Sequence, residues 1–310
     1  MKVSLANALG TCFGVEDAIN LAMTPEFGAN LTIVGQLVHN PQINESLKKN
    51  GVSLVSNIDN IEKIKTKKVM ITAHGAAQKT KDKLEDAGFT VYDASCPLVM
   101  RVHKTIQTMV TKGYFPVVIG QQDHVEVKGI VGDLEDYLVI SGENDIKKIE
   151  QSKKRKLGIV SQTTLQVEKV EHLVRAIRDM ANVDEVYFVN TICQPTRDRQ
   201  VAVRDLAEQV DVMIVIGGYN SSNTKKLVQV CDEKNIEAHH IESFLQLEKN
   251  WFNKKQHVGI TAGTSTPEHV INETHEAILK IAHEIVRTNR SLAYCFTNCS
   301  LGFLHPTLTT

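Results

Sequence analysis

Short apolar runs alternate with helix-length amphipathic stretches along most of this chain, and that alternation confines it to an α/β architecture. Strands are predicted at 2–6, 31–34, 69–73, 90–92, 116–119, 138–140, 157–161, 186–189, 212–216, 237–240 and 258–261. Helices are predicted at 15–23, 43–49, 79–87, 98–112, 167–180, 196–209, 224–234 and 267–285. Strands separated by helices of this length build βαβ units, so the sheets should be mainly parallel and the crossovers right-handed.

At 310 residues the chain exceeds one domain of roughly 100–200 residues. Cys12, Cys96 and Cys193 stand about 85 and about 95 residues apart, each spacing near the size of a small domain. The expected division is three similar α/β domains at 1–95 (with the N-terminal strand and the Cys12 loop), 96–192 and 193–285, followed by a tail at 286–310. Lysine and arginine number 35 against 36 acidic residues, a net charge of −1, without the basic excess of a nucleic-acid binder. No apolar run approaches the ~18–20 residues of a membrane span. The first ten residues read as a strand and a turn rather than a signal peptide, so a cytoplasmic location is expected.

Six cysteines in such a chain are not a disulfide framework. Cys231 sits within an amphipathic helix and reads as packing; Cys295 and Cys299 fall outside any clear periodic element. Cys12, Cys96 and Cys193 each follow a predicted strand and precede a predicted helix, where the helix N-terminus favours the thiolate that binds metal. Three such thiolates could hold zinc or an iron–sulfur cluster. Structural zinc usually shows closely spaced cysteine pairs, and the chain has no Cys-x-x-Cys. Three ligands without an obvious fourth suit a 4Fe-4S cluster with one iron open to a substrate.

A second set of residues lies just beyond the carboxyl ends of apolar strands, where open α/β sheets bind ligands. It comprises His74, His124, Glu126, Thr163, Thr164, Ser221, Ser222, Asn223 and Ser265. Hydroxyls, amides and imidazoles at helix N-termini are suited to anions, and a diphosphate fits this donor-rich set.

The chain resembles the IspH/LytB family of 4-hydroxy-3-methylbut-2-enyl diphosphate reductases. The resemblance rests on Asn7, Gly10-Thr11-Cys12-Phe13-Gly14-Val15, Val38-His39-Asn40, Ala73-His74-Gly75 and Asp93-Ala94-Ser95-Cys96-Pro97. It continues in family order through His124-Val125-Glu126, Ser161-Gln162-Thr163-Thr164, Asn190-Thr191-Ile192-Cys193, Arg199-Gln200, Asn220-Ser221-Ser222-Asn223 and Gly259-Ile260-Thr261-Ala262-Gly263. It implies a cloverleaf of three α/β domains around a central 4Fe-4S cluster held by Cys12, Cys96 and Cys193, with no protein ligand on the fourth iron. It also implies a diphosphate pocket of His39, His74, His124, Ser221, Ser222, Asn223 and Ser265. Thr163 and Glu126 would stand beside the substrate hydroxyl, Glu126 as proton donor. The activity implied is reductive dehydroxylation of the allylic diphosphate, the last step of the methylerythritol phosphate route, with electrons from a ferredoxin or flavodoxin.

The chain departs from the family where Ala8-Leu9 replaces the usual Pro-Arg before Gly10. Gln121 stands for a usual histidine, Val125 for a proline and Pro195 for an alanine. Two rival functions are a quinolinate-synthase-like iron–sulfur enzyme and a non-catalytic iron–sulfur sensor derived from the reductase fold.

Overall fold

A computed structural model describes the backbone of residues 1–55 and 58–299 and the side chains of residues 1–55 and 61–287. The chain opens with β1 (Lys2–Leu5) and α1 (Phe13–Ala22). It continues with β2 (Leu31–Val34), α2 (Pro41–Lys49), β3 (Ser53–Val55), β4 (Lys68–Ile71), α3 (Gln78–Asp86) and β5 (Thr90–Asp93). Next come α4 (Pro97–Thr111), β6 (Phe115–Ile119), α5 (Val125–Val131), β7 (Leu138–Ile140), α6 (Lys147–Ser152), β8 (Lys156–Ser161), α7 (Val167–Arg178) and β9 (Glu185–Phe188). The last are α8 (Gln194–Ala207), β10 (Val212–Ile216), α9 (Ser222–Glu233), β11 (Ala238–Ile241), β12 (His257–Ala262) and α10 (Glu268–Cys299).

These strands form three four-stranded sheets, and every pairing is parallel. The orders are β3-β2-β4-β5, β7-β6-β8-β9 and, read in the same sense, β11-β10-β12-β1. Central strands such as Val212–Ile216 are buried throughout, because helices cover both faces, and so they read as unbroken apolar runs. Each sheet accordingly has a core on both sides, as Val212 with Phe252 on one face and Val215 with Leu227 on the other. Cys231 is fully buried in the latter, as packing.

The N-terminal strand differs from the expected division. The sequence groups it with the first unit, but Lys2 to Leu5 pair in register with His257 to Ile260 of the third sheet. The reason is the repeat itself. β5 and β9 are the fourth strands of their sheets, each leading into a cysteine and then a helix, and β1 fills the same place in the third. Local pattern cannot reveal a partner that far along the chain.

Other differences are local. β3 has three residues, too few for alternation to register, and α5 carries Gly129 with three valines, all weak helix formers. What holds α5 is packing across units: a Cβ on Gly132 would lie 2.6 Å from the Ala77 Cβ, so the glycine lets α5 press on the loop after His74. Asp133 then caps α3, accepting from the Gln78 and Lys79 amides at 2.6 and 3.0 Å. α10 runs on to Cys299, so Cys295 and Cys299 lie in a helix rather than outside one. Their side chains, and residues 300–310 of the expected tail, lie outside the described residues. No helix among the described residues is long and apolar enough to cross a membrane.

Candidate active site

The carboxyl ends of the strands converge on one cavity, and all twelve residues singled out as metal-binding, pocket or proton-donor positions line it.

Three equivalent loops bring the thiols there. Cys12, Cys96 and Cys193 are the N-cap residues of α1, α4 and α8. Each cysteine N–H carries its edge strand's ladder past the end of the sheet, donating to the Thr264, Ala73 and Thr163 carbonyls at 3.1, 3.0 and 3.0 Å. That same step fixes a pocket residue, because Thr163 is itself an acceptor here and Ser265 and His74 follow the other two. A third set of loops supplies the rest: His39 precedes the N-cap Asn40 of α2, while His124 and Ser221 cap α5 and α9. The pocket therefore repeats each device three times, once per sheet.

Gly14 makes room for one thiol, since a Cβ there would collide with the Cys96 Sγ. The Cys193 thiol donates to the Thr196 Oγ1 at 3.1 Å. Burial raises the Cys96 thiol pKa and pushes that of Cys193 up to about 11. The expected preference for thiolate at these helix ends is thus outweighed at both by desolvation, and a metal must drive their deprotonation. Among the described residues no three metal-binding side chains converge closely enough for a single ion. The three thiols line the same cavity.

The His39, His74 and His124 rings form a triangle with centroids 4.3, 5.6 and 5.9 Å apart. Burial lowers all three pKa values; that of His124 falls to about 4, with further contributions from His39 and Lys225. The His124 Nδ1 accepts the Glu126 amide at 3.1 Å, which leaves the proton of the neutral ring on Nε2. That Nε2 is buried without a protein partner, as are both amide atoms of Asn223. Buried polar atoms are rarely left so, and these line a cavity at the N-terminus of α9, where an anion is favoured. Ser222 is held by the Thr164 hydroxyl at 3.0 Å and the Gln162 amide at 3.3 Å, both from the second unit.

Glu126 is 2% exposed. Its carboxylate accepts the Thr163 amide at 2.7 Å and the Thr163 hydroxyl at 3.0 Å. Burial outweighs these bonds and raises its pKa to about 7.

The family model described as LytB protein matches residues 3–279. The chain belongs to the LytB family. It is 39% identical to a 4-hydroxy-3-methylbut-2-enyl diphosphate reductase of Geotalea daltonii, over 92% of this chain and 99% of that one. It is 34% identical to the enzyme of the same name from Neisseria meningitidis, over 92% and 89%. Among solved structures it resembles an E-1-hydroxy-2-methyl-but-2-enyl-4-diphosphate reductase from Plasmodium falciparum, with a TM-score of 0.81, 25% identity, and 89% and 87% of the two chains covered. A second, an (E)-4-hydroxy-3-methyl-but-2-enyl diphosphate reductase described as the terminal enzyme of the non-mevalonate pathway, gives 0.65 at 36% identity, covering 90% and 100%.

The departures of this LytB chain lie off the cavity. Gln121 and Val125 are exposed, Leu9 packs on the core of the third sheet, and Pro195 occupies the first turn of α8. The sequence did not single out Gly14, Thr196 or Gln162 for the roles they fill. Only the glycine offered a signal, two residues after a cysteine at a helix start.

The shifted groups predict opposing pH effects on the metal-free LytB chain. The depressed histidines withdraw stability as pH falls below their unfolded value of 6.5, through about 4 for His124. Glu126, raised, contributes stability that is present below 4.5 and lost as pH rises through about 7. Urea unfolding should therefore show Glu126→Gln gaining on the parent by about 3 kcal/mol between pH 4 and pH 8. A constant difference across that range would refute the raised carboxyl.

Proposed function

We propose that this LytB chain reduces (E)-4-hydroxy-3-methylbut-2-enyl diphosphate to isopentenyl and dimethylallyl diphosphate. It is an iron–sulfur oxidoreductase of the last non-mevalonate step. The observation that carries this is the meeting, in one cavity, of three cysteines, a buried carboxyl with a pKa near neutrality and unpartnered anion donors. Cys12, Cys96 and Cys193 would hold one 4Fe-4S cluster. Bound there, it supplies two electrons in single steps and a Lewis-acidic open iron.

The protein's own groups do the rest. The three histidines, Ser221, Ser222, Asn223 and Ser265 bind the diphosphate, and the neutral rings serve as N–H donors. Thr163 fixes the Glu126 carboxyl and orders the substrate hydroxyl. Glu126 delivers the proton with which that hydroxyl leaves as water, as the allylic carbon–oxygen bond breaks. The two electrons remain on the allyl unit, which takes up a second proton at either end and so gives the two products. A ferredoxin or flavodoxin supplies the electrons, in the cytoplasm, without nucleic acid or membrane as partner.

Anaerobic turnover of the allylic diphosphate with reduced methyl viologen tests this. Two five-carbon diphosphates and water are expected. An iron-loaded protein that binds the substrate without turning it over would favour the sensor, and dicarboxylate chemistry would favour the quinolinate-synthase-like alternative. Asn223→Ala should weaken diphosphate binding to the oxidised protein by roughly ten- to a hundredfold, the worth of about 1.5–3 kcal/mol in lost hydrogen bonds to a charged group. Calorimetric affinity equal to that of the parent would remove Asn223 from the pocket.

A further inference from the structure

Arg199 lies on α8, less than two turns beyond Cys193, and is 7% exposed. Its Nε and Nη2 both donate to the Gly10 carbonyl, at 3.1 and 2.6 Å. Nη2 also faces the Leu9 and Thr11 carbonyls at 3.5 and 3.4 Å, and Nη1 donates to the Pro195 carbonyl at 2.9 Å. The guanidinium thus grips the loop that ends at Cys12 from the helix that begins at Cys193.

Carbonyl oxygens satisfy its hydrogen bonds without neutralising its charge. Among the described residues no carboxylate forms an ion pair with it, and the adjacent Asp198 accepts from Gln194 at 2.6 Å instead. A buried cation left unpaired is costly, and such groups are usually matched by negative charge nearby. Burial pushes the Arg199 pKa down, and the acidic groups that work against it are the thiols of Cys12 and Cys193 and the carboxylate of Asp198.

We propose that Arg199 is a positioning residue for the metal centre: its fork sets Cys12 relative to Cys193, and its charge offsets the negative charge that thiolates and added electrons bring. This rests on the iron–sulfur function proposed above. Reduction adds negative charge beside the guanidinium, so Arg199 stabilises the reduced form and holds the reduction potential up. The backbone of the gripped loop agrees with a fixed shape. Gly10 has φ +76°, and a Cβ there would lie 2.8 Å from the Ile271 Cδ1.

The test compares the anaerobically purified, cluster-loaded chain with Arg199→Lys, Arg199→Gln and Gly10→Ala. Iron loss to a chelator reports position, and the midpoint potential from a dye-equilibrated titration reports charge. Arg199→Gln should lower the potential, by 59 mV for each tenfold loss in relative stability of the reduced form, and should lose iron faster. Arg199→Lys keeps the charge without the fork, so it should lose iron faster at a near-parental potential, as should Gly10→Ala. If Arg199→Gln cannot keep the centre while Arg199→Lys does, the charge role is again supported, because both break the fork. Lysine and glutamine variants impaired equally in iron retention and potential would overturn the charge role. Parental behaviour of Arg199→Gln in both measurements would overturn the proposal entirely. A parent chain that binds no cluster would instead refute the proposed function.

Discussion

Glu126→Gln should lower turnover by about 10²–10⁴-fold, the usual worth of a positioned general acid, while the proposed cluster and the affinity for the diphosphate should persist. Glutamine keeps the size of the side chain: its oxygen can accept the Thr163 amide, which now donates to Oε1 at 2.7 Å, and its own N–H can donate to the Thr163 hydroxyl, now 3.0 Å from Oε2. It cannot deliver an acidic proton. The pH profile gives a second signature. With a carboxyl pKa of about 7, the parental rate should fall on the alkaline side as the acid ionises, and that limb should vanish in the variant. Substrate should persist on the reduced variant with its carbon–oxygen bond intact, as freeze-quench spectroscopy would reveal. Near-normal turnover would sink the proton route and leave the cluster assignment standing.

The second large effect concerns the thiols. Serine at Cys12, Cys96 or Cys193 should each take iron well below the about four per chain expected of the parent. Cys231→Ser should leave the iron content intact, because that thiol is buried in a helix–sheet core away from the cavity. Gly14→Ala is the sharper probe. Alanine is the better helix former by about 1 kcal/mol, so the first turn of α1 should tolerate it. Its Cβ would nevertheless collide with the Cys96 Sγ and push that ligand aside. A folded, iron-poor Gly14→Ala chain is the expected result; full iron content would show that the cradle yields.

The α/β class and most strands were legible because strands covered on both faces are continuous apolar runs, as in Val212–Ile216 and Phe115–Ile119. The cavity was legible because its residues sit where strands give way to helices, a boundary that sequence marks well. What stayed hidden depends on contacts across the chain. α5 is held by glycines pressed against another unit, a packing that weakens its helical signal. The lowered pKa values of the three histidines follow from burial, which no local pattern reports. Arg199 belonged to a recognised motif, but its grip on residues 9–11 joins segments about 190 positions apart.

The pairing of β1 with β12 also imposes an order on synthesis. Ser4 and His257, which share a 2.8 Å hydrogen bond, are 253 residues apart. At about 5–20 residues per second, β1 therefore waits roughly 10–50 s for its neighbour to be made. Through that interval the strands preceding Cys96 and Cys193 can already join completed sheets, whereas the strand preceding Cys12 has no sheet to join. A ribosome halted before His257 would carry a nascent chain with two finished thiol loops and one unmoored. The three thiol loops are complete together only after the last strand has emerged.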